Sequence, residues 1–231
     1  MTDECNACVR ILTALLNQEG SRAQHLLKSI GSSGELTAAE NGVQVQIPSN
    51  SKATVLTRWT KVPKPAEPPP LTALADVAGL DTLSITCRRC GDTGPEGSAR
   101  AFVFGPTPLQ IVLCTNRLSL MNSEAIETAL IHELIHIYDF RTRRMNLQDC
   151  HQLAYTEVRA AREGECRAAW WPASCVKERA LTSTNIMFGE AGRACIRAVF
   201  ETAMRDNAPF TPQDSVTEPP TNSNIQHASE R

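Results

Sequence analysis

A chain of 231 residues with 42% hydrophobic side chains can bury one substantial core and is short for two, so one compact domain with irregular additions is expected. The formal charge of −2, with arginines interspersed among glutamates, gives no basic field and argues against nucleic acid as a partner. No run approaches the roughly 20 apolar residues that cross a bilayer, and the amino terminus, MTDECNACVR, has neither a signal-peptide apolar segment nor an Arg-rich transit sequence, so membrane contact is expected to be peripheral.

Residues 4–30 carry Val9, Leu12, Leu15, Leu16, Leu26, Leu27 and Ile30 at helical spacing, broken near Gly20 and Ser21. They predict a helical hairpin, with residues 1–30 as an N-terminal helical segment; His25 within it reads as a satisfied or solvated side chain. Residues 31–84 shift to Ser, Thr, Ala, Asn and Pro, with Pro63, Pro65, Pro68, Pro69 and Pro70 crowded together, and predict a low-order Pro-rich insertion with a short strand at 43–47. Residues 101–104 and 109–114 are apolar runs joined by a Gly-Pro-Thr-Pro turn, which reads as a hairpin. The second run is the candidate edge strand for holding an extended peptide by strand addition.

Ile126, Leu130, Leu134 and Ile137 form the apolar stripe of the next helix, with Asn122 or Ser123 as its N-cap and Glu124 and Glu127 near its positive end. On it lies His132-Glu133-Leu134-Ile135-His136. Residues four apart share a helix face, so both imidazoles can reach one ion, the chemistry of a zinc site, while Glu133 lies about 100° around the axis and suits a general base. A following helix is expected from about Asp149 to Trp170, ended by Trp171-Pro172. Catalytic zinc takes three protein ligands. The candidates for the third are Glu157, 21 residues after His136, then His151, then Asp139, which suits an Arg pair or a hydrogen bond to a ligand histidine better. Glu163 and Glu165 read as solvated. A last amphipathic helix covers 190–206; residues 85–210 make the zinc metalloprotease domain, and 211–231 a disordered tail.

Nine cysteines are many for a reducing compartment and favour disulfides, with at least one thiol left over. The pairs Cys5/Cys8 and Cys87/Cys90 have the composition of a four-thiolate zinc site, but they lie about 80 residues apart, against roughly 15–20 in a zinc ribbon. Together these elements predict an α+β, mainly helical fold: a zincin-like domain with the His-Glu-x-x-His helix, a short β-hairpin with an edge strand and further packed helices, held by disulfides.

Several motifs in one order carry a resemblance. They are C-V-R at Cys8, I-T-C-R-R-C at Cys87 and Cys90, Q-I-V-L-C-T-N-R-L around Cys114, H-E-L-I-H-I-Y-D from His132, T-E-V-R-A-A-R-E-G-E-C ending at Cys166, and C-V-K-E-R-A from Cys175. This set resembles the mitochondrial inner membrane metalloprotease family that matures subunit 6 of the ATP synthase. The resemblance implies a zinc endopeptidase, peripheral on the intermembrane-space side of the inner membrane. It would remove the N-terminal prepeptide of the subunit 6 precursor and assist assembly of the synthase membrane sector; the alternative is a protease-independent assembly chaperone. His132 and His136 match the family's zinc ligands and Glu133 its catalytic base, and members fold by forming disulfides. The family usually has Cys at the position of Tyr155 and near Ala203, whereas Cys150 and Cys195 look like additions, which suggests a bridge shifted between those helices. Gln152, not His151, falls on the family's histidine.

Overall fold

The computed structural model describes residues 2–32, 34–48, 80–93, 97–105 and 109–210. Two helices come first, α1 (Asp3–Asn17) and α2 (Arg22–Ser29). Thr2 and Ser21 start them by accepting hydrogen bonds from the main-chain N–H groups of Cys5 and Gln24, and Asp3 and Glu4 sit where the helix dipole favours negative charge. The predicted hairpin and its break are therefore present. The lone His25 is satisfied, its Nε2 lying 3.1 Å from the carbonyl of Pro209.

A five-stranded sheet follows: β1 (Leu36–Ala39), β2 (Gly42–Pro48), β3 (Leu80–Arg88), β4 (Ala101–Phe104) and β5 (Leu109–Cys114), in the order β1-β2-β3-β5-β4. All pairings are antiparallel except β3 with β5. The strand expected at 43–47 is β2. β1 and the first part of β3 also lie within the segment 31–84 that was expected to be of low order; the Pro-rich run, like the tail 211–231 expected to be disordered, falls outside the described residues. β2 pairs on both sides and buries Val43, Val45 and Ile47, a period-2 pattern that packing rewards in spite of its polar neighbours.

The sheet order also corrects the edge-strand assignment. Residues 109–114 lie inside the sheet, between β3 and β4, and bury Leu109, Ile111, Val112, Leu113 and Cys114. The hairpin is present, but its first strand, β4, is the edge.

Helix α3 (Ser123–Arg141) starts at Asn122, whose side chain accepts from the Glu124 N–H. More than a stripe is apolar: Ile126, Leu130, Ile131, Leu134, Ile135 and Ile137 are all buried, as a central helix requires. It packs against β4, β5, α1 and α2 and on its other side against α4 (Cys150–Glu163). Helices α5 (Pro172–Phe188) and α6 (Ala191–Arg205) pack with α4 around a second core of Ala154, Val158, Val176, Ala180 and Ile196. The expectation of one helix from Asp149 to Trp170 is corrected here. α4 stops at Gly164, and Pro172 begins α5, where its missing N–H costs nothing.

Four disulfides close the chain: Cys8–Cys87, Cys90–Cys114, Cys150–Cys195 and Cys166–Cys175. Cys5 is a buried free thiol. Both C-x-x-C pairs are thereby spoken for by bridges to other partners or by burial, and Cys150–Cys195 joins α4 to α6. Tyr155 uses its hydroxyl to donate to Asp206 at 2.7 Å.

The segment after α6 turns back across the molecule. Arg162 donates to the carbonyls of Met204 and Asp206, Arg159 to that of Ala208, and Phe210 inserts into the main core beneath the Arg22 guanidinium, 4.3 Å from its ring centroid. The α+β class with six helices, five strands and four disulfides is thus observed among the described residues.

Candidate metal centre and active site

Helical periodicity places His132 and His136 one turn apart on the face of α3 that meets α4, and α4 brings Glu157 between them. His132 Nε2 lies 3.6 Å from one carboxylate oxygen of Glu157 and His136 Nε2 lies 3.7 Å from the other. One ligand atom from each of the three residues falls within 4.8 Å of the others. Donors about 2.1 Å from a common tetrahedral centre stand roughly 3.4 Å apart, so the three are spaced to share an ion.

Two further observations fit an ion. Glu157 Oε2 is buried without a hydrogen-bond partner, an arrangement that costs free energy unless a cation supplies what is missing. Each imidazole is also oriented from behind: His132 Nδ1 by Glu165 at 2.9 Å, and His136 Nδ1 by the Thr156 hydroxyl at 3.1 Å. Partners on both Nδ1 atoms leave both Nε2 atoms turned toward Glu157, as ligating histidines are held.

Burial pushes the Glu133 carboxyl up to about 7, with Glu157 and Glu165 adding to the rise and a main-chain hydrogen bond from Val103 on β4 opposing it. Burial pulls His136 down to about 4, which keeps it neutral and able to coordinate. Burial works against a charge on His132 too, but Glu165 and Glu157 outweigh it and hold that group well above the ordinary value. Glu165 falls to about 2, as His132 overcomes the cost of its burial, and Glu157 is lowered, with His136 foremost in offsetting burial.

These groups open into a cleft of 410 Å³. One wall is the edge strand β4 with the residues before it; the other is α5, through Arg179, Thr182, Ser183 and Ile186. The floor holds His132, Glu133, His136, Glu157 and Glu165.

The other sequence candidates lie elsewhere. Asp139 makes a fully buried ion pair with Arg159, the Arg pairing that its position suggested, and does not join the cluster. His151 is exposed at the start of α4. Glu165 and Glu163 depart from the solvated reading: Glu165 holds His132, and Glu163 pairs with Arg22 and Arg162. The signal for Glu165 was the glycine before it. A Cβ on Gly164 would stand 2.9 Å from the Thr128 carbonyl oxygen and 3.3 Å from His132 Cβ, so only glycine lets α4 close on α3 there. Thr156, Arg179 and the β4 wall carried no such mark.

The mitochondrial inner membrane protease ATP23 of Scheffersomyces stipitis is 30% identical over 148 residues, which cover 57% of this chain and 58% of that protein. Its namesakes in Meyerozyma guilliermondii and Botryotinia fuckeliana are 31% identical over 149 residues (57% of each chain) and 32% identical over 124 residues (45% of this chain, 48% of that one). The chain spans about half the length of these curated relatives. No solved structure matches it. The sequence model of the peptidase M76 family matches residues 73–211, a stretch that takes in both imidazoles, Glu133, Glu157 and both walls of the cleft. With that match over more than half its length, the chain belongs to the peptidase M76 family.

Proposed function

We propose that this chain is a zinc-dependent metalloendopeptidase, zincin-like in its site, acting on the intermembrane-space side of the mitochondrial inner membrane. Its substrate is the precursor of ATP synthase subunit 6, from which it removes the N-terminal prepeptide, and it assists assembly of the synthase membrane sector. The observation that carries the peptidase reading is the convergence of His132, His136 and Glu157 on one point beside a buried Glu133. The names of the relatives support the location, and the motif set around Cys87, His132 and Cys166 supports the substrate. Among the described residues no helix is long and apolar enough to cross a membrane, in keeping with peripheral attachment.

His132, His136 and Glu157 would hold the ion, the donor set of two imidazoles and one carboxylate that leaves a fourth position open. A zinc ion bound there supplies Lewis acidity, bringing the pKa of water toward about 7 and polarising the scissile carbonyl. The chain's residues do the rest. The outer edge of β4, which no other described strand covers, offers its main chain to an extended peptide, which strand addition aligns along the cleft. Glu133, raised to about 7, takes the proton of the attacking water and returns it to the leaving amine. Arg179, on the opposite wall, is a cation available to the developing negative charge on the carbonyl oxygen.

Glu133→Gln should keep zinc bound while hydrolysis of a peptide spanning the precursor's cleavage site falls by at least about 100-fold. Retained hydrolysis in that variant would remove Glu133 from the reaction. In cells, restored synthase assembly with accumulating precursor would assign the assembly role to the fold rather than to the protease.

A further inference from the structure

Between α4 and α5 the chain makes a short loop closed at its base by Cys166–Cys175. At its tip Trp170 is 88% exposed and Trp171 73%, and Pro172, Ala173 and Ser174 after them are exposed as well. Two adjacent indoles in water are a cost that folding did not remove, although each could bury roughly 150–250 Å². The disulfide fixes the loop, so the rings project from a rigid base.

We infer that this tip is the element by which the chain docks on an anionic bilayer surface. The inference deepens the proposed function, since it rests on the reading of this chain as an inner-membrane protease. Indoles suit that occupant because their apolar body and polar N–H match the headgroup level, where tryptophan concentrates in membrane proteins. The charge is of the matching sign: from residue 167 to 178 the chain carries Arg167 and Lys177 against Glu178 alone. The geometry gives the contact a use. Helix α5 starts at the tip, and Arg179, the first of its residues to line the cleft, lies about 12 Å along the helix axis from Trp171 at 1.5 Å per residue. Docking by the tip therefore sets the cleft close to the bilayer, within reach of a peptide segment that emerges from it.

The test uses the oxidised, zinc-loaded full chain, floated with phosphatidylcholine vesicles with or without cardiolipin. The wild type should float with the cardiolipin vesicles. Trp170→Ser with Trp171→Ser should lower its partition roughly tenfold or more while leaving thermal stability and hydrolysis of a soluble peptide unchanged. Lys177→Glu should weaken binding only to the anionic vesicles. Equal flotation of the double variant and the wild type overturns the inference. So does a wild type that binds neither vesicle, including one whose tip instead joins two copies of the chain, which size-exclusion chromatography would reveal. Vesicle binding lost in the double variant, in a protein that cleaves no peptide at all, would sustain the docking surface and strike the peptidase reading alone.

Discussion

In the half built from the sheet and α1–α3, position is set by apolar packing; in the half built from α4–α6 and the returning segment, a smaller apolar core and two disulfides are joined by a network of buried and half-buried ion pairs. The imidazoles stand on a helix walled by Ile126, Leu130, Leu134 and Ile135. Thr156 and Glu157 approach from α4 and Glu165 from just past its end, and the arginines of that helix, Arg159 and Arg162, bind Asp139 of α3 and the main chain of Asp206. The difference teaches that the candidate metal centre is a seam: one side supplies two imidazoles on a tightly packed helix, and the other a carboxylate whose helix is held in part by ionised groups.

The largest expected effect comes from unfastening the packed half. Cys8–Cys87 ties α1 to β3 across 79 residues, and a chain-entropy estimate for such a loop is about 4.5 kcal/mol. Replacing both cysteines by serine should lower unfolding stability by about that amount in denaturant titration of the otherwise oxidised protein. In the charged half, Arg159→Ala leaves buried Asp139 with only Arg143, 3.5 Å away, and the Ala208 carbonyl without its donor, and should cost about 3 kcal/mol by the same measurement. A double variant, Asp139→Leu with Arg159→Met, should recover much of that loss, because the pair's desolvation vanishes with it.

At the seam, Glu165→Ala frees the His132 ring and should weaken zinc binding by about 10–100-fold, measured by chelator competition, with little change in fold. The smallest effect concerns acid. Burial works to raise the Asp206 pKa, but Tyr155, Arg159 and Arg143 outweigh it and hold the group below its ordinary 3.8. Its contribution to stability is therefore complete above 3.8 and lost as pH falls through the lower folded value. Melting temperatures should show this loss only below about pH 4, and Asp206→Asn should flatten it.

The sequence made the metal helix legible because periodicity, cap and histidine spacing all fall within nineteen consecutive residues. That a carboxylate from the following helix, Glu157, faces the two imidazoles was legible from the donor type a third ligand requires. Which strand forms the edge was not, because sheet order is settled by the parallel pairing of β3 with β5 and not by local pattern. Composition hid β1 and β3: β3 alternates, burying Leu83, Ile85 and Cys87, but its start falls in a stretch dominated by the Pro-rich run, and the four residues of β1 carry no alternation at all. Glu165 was missed for a different reason. The glycine before it marks a close approach of helices but not which helix approaches, and until the facing helix is in place a glutamate at a helix end looks solvated.

That glycine has a consequence for the reach of the site. Gly164 leaves room for a hydrogen atom and no more between α4 and α3, so the gap across which the imidazoles and the carboxylates face each other is held at its narrowest. A methyl group at 164 would press on the Thr128 main-chain carbonyl, which cannot swing aside as a side chain can, and the carboxylates would back away from the imidazoles as the two helices part.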